Sequence, residues 1–131
     1  MVLVARSGHP TVGRRITKAQ LEGLRHIEVQ VAQGRGSRPL AGRYAELGVV
    51  RNIAVVVPTF TAAAAVAAGT DLVASLPDSL MKVLGPRLAL RRVATPLGPI
   101  TNTINLLWHE RTDQDPALRA FRSLLIEAVR S

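Results

Sequence analysis

Asn52–Leu76 reads NIAVVVPTFTAAAAVAAGTDLVASL, and this stretch decides the fold class. Asn52–Val57 is a short run of β-branched residues that ends at Pro58, as a buried strand does. Ala62–Ala68 then offers almost nothing but alanine, the best helix former, until Gly69 closes it. Asp71–Leu76 is a second short apolar run. A helix between two such runs is the connection that parallel strands need, because a tight turn can only join antiparallel ones. The small alanine side chains let the helix lie close on the sheet.

Outward from this unit the same alternation continues. Further strands are expected at Met1–Arg6, His26–Val31, Leu88–Ala94 and Thr103–Trp108. Thr17 and Gln20 have capping-box spacing and open a helix that runs to Leu24. Pro39 lies near the start of a helix through Tyr44 that Gly48 ends. Asp78 is expected to cap a short helix stopped by Gly85-Pro86. The last helix is the most explicit: Asp115 as N-cap, Pro116 at the first helical position, then Leu118, Phe121, Leu125 and Val129 on one stripe. Gln33–Arg38 reads as a flexible stretch. Thr95-Pro96-Leu97-Gly98-Pro99 reads as a boundary or crossover between the first five strands and the last strand and helix. Strands alternating with helices define an α/β fold with a mostly parallel sheet flanked by helices.

Composition narrows the function classes. Of 131 residues, 47% are hydrophobic and only 20% charged, which excludes disorder. No apolar run approaches the roughly 20 residues that span a bilayer. The chain has no cysteine, so disulfides and thiolate chemistry are excluded together. These features lead to the expectation of a soluble, cytoplasmic domain. The net charge of +8 invites a nucleic-acid reading. The cations are scattered, however, with Arg14-Arg15 and Arg91-Arg92 the only adjacent pairs. Tyr44, Phe60, Trp108 and Phe121 are the whole aromatic set, too few for base stacking. Direct DNA binding by this segment is therefore not expected, and the charge is better suited to anionic small molecules or partners.

No catalytic constellation emerges, and no enzyme activity is expected. Gly34-Arg35-Gly36 lacks the remaining positions of any nucleotide loop. No Gly-x-Ser-x-Gly elbow is present. His9, His26 and His109 are far apart and have no carboxylates at ligand spacing, so neither a metal nor another cofactor is expected. His9 before Pro10 reads as a turn residue. Polar or small residues do follow three strands: Ala32-Gln33-Gly34, Thr59-Phe60-Thr61 and Pro77-Asp78-Ser79. In open α/β sheets, ligands bind beyond the carboxyl ends of the strands. Thr59 or Thr61 at a helix start could hydrogen-bond a carboxylate, although helix capping explains each residue equally well alone.

The order of landmarks resembles LysR-type transcriptional regulators. Val2-Leu3-Val4-Ala5-Arg6-Ser7-Gly8-His9-Pro10 is similar to the segment where a crossover strand enters the second lobe. It is followed at matching spacing by Leu24-Arg25-His26-Ile27, Leu40-Ala41 through Leu47-Gly48, and Arg51-Asn52-Ile53-Ala54. Val57-Pro58-Thr59-Phe60 and Val66 through Pro77 come next. Leu106-Leu107-Trp108-His109-Glu110-Arg111 and Asp115-Pro116-Ala117-Leu118 resemble the family's last strand and final helix. The pattern is especially similar to the branch that senses aromatic or flavonoid-like inducers.

The resemblance implies an effector-binding domain of periplasmic-binding-protein-like fold, with the second lobe essentially complete and the first truncated. The second lobe would run from about residue 9 to 96, with crossovers at 1–6 and 99–105 and a remnant of the first lobe at 106–131. The effector, an aromatic or other organic acid, would meet Thr59, Phe60, Thr61, Gln33 and Thr70, with Thr101 or Asn102 at the hinge. The winged helix-turn-helix through which such a regulator meets DNA would lie outside this chain. A homo-oligomer is implied, no membrane association is expected, and the final helix's stripe would be covered by self-association or by repacking on the lobe. The alternative is a stand-alone small-molecule-binding or protein-interaction α/β domain from a truncated reading frame.

Overall fold

The computed structural model describes residues 1–30, 38–101 and 103–130. Gln33, Asn102 and most of the stretch expected to be flexible lie outside the described residues. Five strands form one sheet: β1 (Val2–Arg6), β2 (Arg25–Val29), β3 (Asn52–Val57), β4 (Val73–Leu76) and β5 (Leu90–Val93). Their spatial order is β3-β2-β4-β1-β5. β2 pairs parallel with both β3 and β4, whereas β1 is antiparallel to both β4 and β5. Four strands thus share one direction, and β1 is threaded between two of them. The mostly parallel sheet expected from Asn52–Leu76 is present, with one reversed strand near one side.

Helices α1 (Lys18–Gly23), α2 (Arg38–Glu46), α3 (Phe60–Gly69) and α4 (Asp78–Leu84) accompany the sheet. Side chains alternate between two cores, as the pleat requires. Leu3, Ala5, Val73 and Val93 face Leu21 of α1 and Leu40 and Tyr44 of α2. Val4, Ile27, Val57, Ala74 and Leu76 face Ala63, Ala64 and Ala67 of α3 and Met81 of α4. β1 and β4, covered on both faces, read as near-continuous apolar runs, whereas the outer strand β3 leaves Ile53 and Val56 partly exposed.

Local chemistry fixes the helix ends. The α1 capping box forms as expected: Gln20 N–H donates to Thr17 Oγ1 at 3.2 Å and Thr17 N–H to Gln20 Oε1 at 2.9 Å. α2 ends on Gly48 at φ +69°, with Gly48 N–H donating to Ala45 O and Val49 N–H to Tyr44 O. That pair of bonds is a Schellman ending, which favours the residue without a Cβ. His9 shapes its turn as expected: its Nδ1 accepts from the amides of Thr11 and Val12, which leaves Nε2 to donate to Asp71 O at 3.0 Å. Arg6 adds an ion pair to Asp71 at 2.7 Å, so the end of β1 is tied to the start of β4.

Two expectations change. Asp78 does not cap α4. It is the helix's first residue, after a Pro77 N-cap that makes no side-chain bond, and its carboxylate is taken by Arg92 Nε at 2.8 Å. Thr103–Trp108 forms no strand. A strand needs a neighbour for its backbone N–H and C=O groups, and among the described residues none flanks this segment. Ile104 and Leu107 are each 86% exposed.

The C-terminal arm holds itself together locally. Arg122 stacks over the Trp108 ring and donates to the carbonyls of Thr112 and Asp113, while Trp108 Nε1 donates to Asp113 Oδ1. Helix α5 (Pro116–Arg130) starts where expected, with Leu118 N–H donating to Asp115 Oδ1 at 3.0 Å. None of its residues is buried, so its stripe is not repacked on the lobe. No helix among the described residues is long and apolar enough to cross a membrane.

Candidate functional site

The sequence β2-α2-β3-α3-β4 with strand order β3-β2-β4 reverses direction at β2, and such a reversal opens a crevice at the strands' carboxyl ends. On that edge, Thr59 sits in extended conformation (φ −139°, ψ 155°) as the N-cap of α3. Its Oγ1 accepts from Ala62 N–H at 3.1 Å and lies 3.1 Å from Thr61 Oγ1. Both threonines are exposed, whereas Phe60 between them packs against the α3 side of the core. Thr59, Phe60 and Thr61 are therefore brought together at one rim.

Thr70 is not brought to them. It follows the other end of α3, where its Oγ1 donates to Val66 O at 2.7 Å and accepts from Leu72 N–H at 3.2 Å. A helix of this length separates its ends by roughly 15 Å. Thr70 thus belongs to the amino edge of β4, and its hydroxyl serves the chain turn. The Gly69-Thr70-Asp71 spacing could not separate these possibilities, because a threonine after a helix caps as readily as it binds. Thr101 is exposed and lines a shallow depression with Pro39, Gly42, Arg43, Glu46 and Pro99. Its place is beside α2, on the opposite face from α3.

Sequence reading missed a second feature of the carboxyl edge. Residues 94–100, which include the Thr95–Pro99 stretch expected to be a boundary or crossover, fold back over the α1/α2 face and bury Leu97 and Ile100. Arg43 of α2 holds this loop by donating from Nε (3.1 Å) and Nη2 (2.6 Å) to Leu97 O. Gly98 follows at φ +67°, where a Cβ would sit 3.3 Å from Arg43 Nη2. The Met1 amino group donates to Ile100 O at 2.7 Å, which places the start of β1 beside the end of the loop. Between loop and sheet lies a half-open cleft of about 430 Å³, with Leu3, Ser75, Val93, Leu97 and Ile100 in its floor and Arg14 and Thr95 among its other lining residues. The available signal was the pair Leu97 and Ile100, apolar residues inside a Pro/Gly stretch that a solvent-exposed linker would not carry.

Electrostatics differ between the rims. Asp78 at the start of α4 is held below the ordinary carboxylate range, chiefly by the hydrogen bond from Arg92. Lys82, one turn on, stands 3.9 Å from the same carboxylate. A separate polar group lies within the α1/α2 face, away from the edge. His26 packs edge-on against Tyr44 with ring centroids 5.7 Å apart, Arg51 stacks over the Tyr44 ring, and Glu28 pairs with Arg51 at 2.5 Å. Burial pushes the Tyr44 hydroxyl up to about 12 and His26 down to about 4. His9, His26 and His109 occupy three separate places: the turn after β1, the body of β2 and the cap of the 3-10 turn at Glu110–Thr112.

A mostly parallel sheet, covered by helices and open at its carboxyl edge, is the architecture of a small-molecule-binding α/β domain. The chain belongs to the LysR substrate binding domain family, which it matches over residues 1–130. It is 30% identical over 135 residues to the HTH-type transcriptional activator NagR of a Ralstonia species, covering 96% of this chain and 42% of that protein. It is 28% identical over 126 residues to the HTH-type transcriptional regulator SyrM of Rhizobium meliloti (strain 1021), covering 96% of this chain and 39% of that protein. The chain therefore spans about two fifths of the length of these relatives. Among solved structures, the regulatory domain of MexT, a transcriptional activator in Pseudomonas aeruginosa, superposes with a TM-score of 0.69 at 25% identity, over 92% of this chain and 57% of that one. A putative transcriptional regulator from Vibrio parahaemolyticus reaches 0.73 at 18% identity, over 96% of this chain and 58% of that one, a likeness of fold alone.

Proposed function

We propose that this chain is the ligand-sensing portion of a bacterial LysR-type transcription regulator and works by binding rather than by turnover. The observation that carries the reading is that a chain matching the family's substrate binding domain over residues 1–130 presents an open cleft and the start of α3 on one edge of its sheet. On this reading residues 9–96 are the second lobe, 1–6 and 99–105 the crossovers, and 106–131 the part that joins the first lobe. A small effector, an aromatic or other organic acid, settles against the carboxyl edge, with Thr59, Phe60 and Thr61 at one rim and Thr101 near the hinge. The effector biases the lobes toward a closed arrangement, which shifts the subunits and so the DNA contacts made by a helix-turn-helix outside this chain. The setting is the cytoplasm, where the regulated DNA lies.

A thermal-shift panel of organic acids, their neutral amides and phosphate on the 131-residue chain tests the reading. At least one compound is expected to raise the melting temperature saturably, since a ligand that binds only the folded state at 100 times its Kd adds about 2.7 kcal/mol. No stabilisation by any compound on the panel would contradict it.

Self-association is the proposed cover for α5, because Phe121, Leu124 and Val129 are each more than half exposed on one helix. Light scattering coupled to size exclusion is expected to give a multiple of the 14.0 kDa chain mass. The charged double substitution Phe121→Glu with Leu125→Glu is expected to return the monomer. A wild-type chain that runs as a monomer at all concentrations removes this part of the proposal.

A further inference from the structure

Cations that lie far apart in the sequence meet along one edge of the sheet. Strand β5 is the outermost strand on its side, and residues 14–16 run beside its end. Arg15 faces Ala94 in a parallel bridge, Ala94 N–H donates to Arg14 O at 2.8 Å, and Ile16 N–H donates to Ala94 O at 3.0 Å. Successive side chains on extended backbone point to opposite faces, and paired residues share a face. Val93 and Ile16 lie in the α1/α2 core, so Arg91 and Arg14 project on that face of the edge. Arg92 and Arg15 project on the α3/α4 face. Arg87 stands between α4 and β5, toward the other end of the strand.

Little negative charge opposes this group. Arg14, Arg15 and Arg87 are exposed, and among the described residues their guanidinium groups have no ion-pair partner. Arg91 donates to the neutral carbonyl of Val12. Asp78 is shared by Arg92 at 2.8 Å and Lys82 at 3.9 Å, so even that cluster keeps a surplus positive charge. Elsewhere on the lobe, Arg6, Lys18, Arg43 and Arg51 are each matched with a carboxylate. Much of the chain's net charge of +8 is thereby gathered on the β5 edge.

We propose that the β5 edge binds the phosphate backbone of duplex DNA without reading its sequence. Arginine suits this task because its planar fork pairs with two phosphate oxygens at once. From Leu90 to Ala94 the edge runs roughly 13 Å at 3.3 Å per residue, the axial length of about four phosphates of one DNA strand. No ring for base stacking stands there: Tyr44 is buried, Phe60 starts α3, and Trp108 and Phe121 belong to the C-terminal arm. A duplex therefore fits better than a single strand. The choice of DNA among polyanions rests on the regulator reading above, in which a helix-turn-helix outside this chain holds the duplex nearby and raises its effective concentration.

The test is anisotropy of a labelled duplex of about 20 base pairs, titrated with the 131-residue chain at several salt concentrations. Arg14→Gln with Arg15→Gln and Arg87→Gln is expected to weaken binding at least tenfold at the lowest salt. It is also expected to reduce the slope of log affinity against log salt by about 2 to 3, since each phosphate contact contributes about 0.9. A charge-matched control on the C-terminal arm, Arg111→Gln with Arg119→Gln and Arg130→Gln, is expected to change affinity less than twofold. Duplexes of unrelated sequence are expected to bind alike. Equal losses in the two triple variants would mean that net charge alone is felt, and they overturn the proposal. Absence of duplex binding at the lowest salt, or tighter binding of a single strand, overturns it too. Tighter binding to phosphatidylglycerol vesicles at equal phosphate assigns the edge to a lipid surface and overturns the DNA assignment. Any of these results beside a saturable thermal shift from the organic-acid panel leaves effector sensing in place, whereas edge-dependent duplex binding with no shift from the panel overturns the sensing reading alone.

Discussion

Lowering the pH from 6.5 to 4 is expected to cost the fold about 3 kcal/mol through His26 alone. Burial in the α1/α2 core is the main reason its folded-state value falls from 6.5 to about 4. The Arg51 guanidinium nearby adds to that fall, and the Leu21 carbonyl partly opposes it. The unfolded chain takes up a proton as pH drops through 6.5, whereas the folded chain does so only near 4. Between those limits the unfolded state binds more protons, so stability falls with falling pH by up to one proton's slope. A shift of roughly 2.5 units is worth about 3 kcal/mol. Above pH 6.5 the contribution is fully present, and below 4 it is gone. Urea midpoints measured across this window read the effect directly. His26→Leu is expected to flatten the slope, whatever its effect on stability at pH 7. A slope unchanged by that substitution would show that His26 is not the buried neutral group described.

The second large effect separates the core from the arm. Leu76 closes β4, has no exposed surface, and packs in the core shared with α3 and α4. Leu76→Ala is expected to cost roughly 3–4 kcal/mol, the lost transfer energy plus the cavity left behind. That is a large share of the 5–15 kcal/mol typical of a domain. Leu124, in the middle of α5, is 63% exposed. Leu124→Ala is expected to change stability by less than about 0.5 kcal/mol when measured at a concentration where the chain is monomeric. Equal costs for the two substitutions would mean that α5 packs on the lobe.

How far the sequence carried depends on how local each signal was. The strand–helix–strand unit at Asn52–Leu76, the Thr17–Gln20 capping box, the Gly48 ending and the Asp115 cap all formed where their residues pointed, because each is decided within a few residues. The position of β1 is different. Nothing in Met1–Arg6 says that it runs antiparallel between β4 and β5, since that placement depends on partners about 70 and 90 residues away. Thr103–Trp108 has the composition of a strand but no neighbour among the described residues, and propensity does not supply one. Asp78 has cap chemistry, yet Arg92, fourteen residues on, takes its carboxylate. The cleft was illegible for a related reason. Arg14, Ser75, Val93 and Leu97 are scattered along the chain, and only the return of residues 94–100 over the sheet brings them to one place. Among the residues that sequence position did nominate, Thr59–Thr61 fall together because one helix start holds them, and Thr70 falls away because the same helix separates it.

The most direct test of the account is amide hydrogen exchange on the 131-residue chain, with and without the most stabilising compound from the panel. Slowed exchange is predicted at the carboxyl edge, in residues 58–62, 77–79 and 94–100, with 7–9 and 69–72 at the opposite edge unchanged. Slowing concentrated at that opposite edge or along α5, with none at the carboxyl edge, would contradict the claim that this domain senses its effector there.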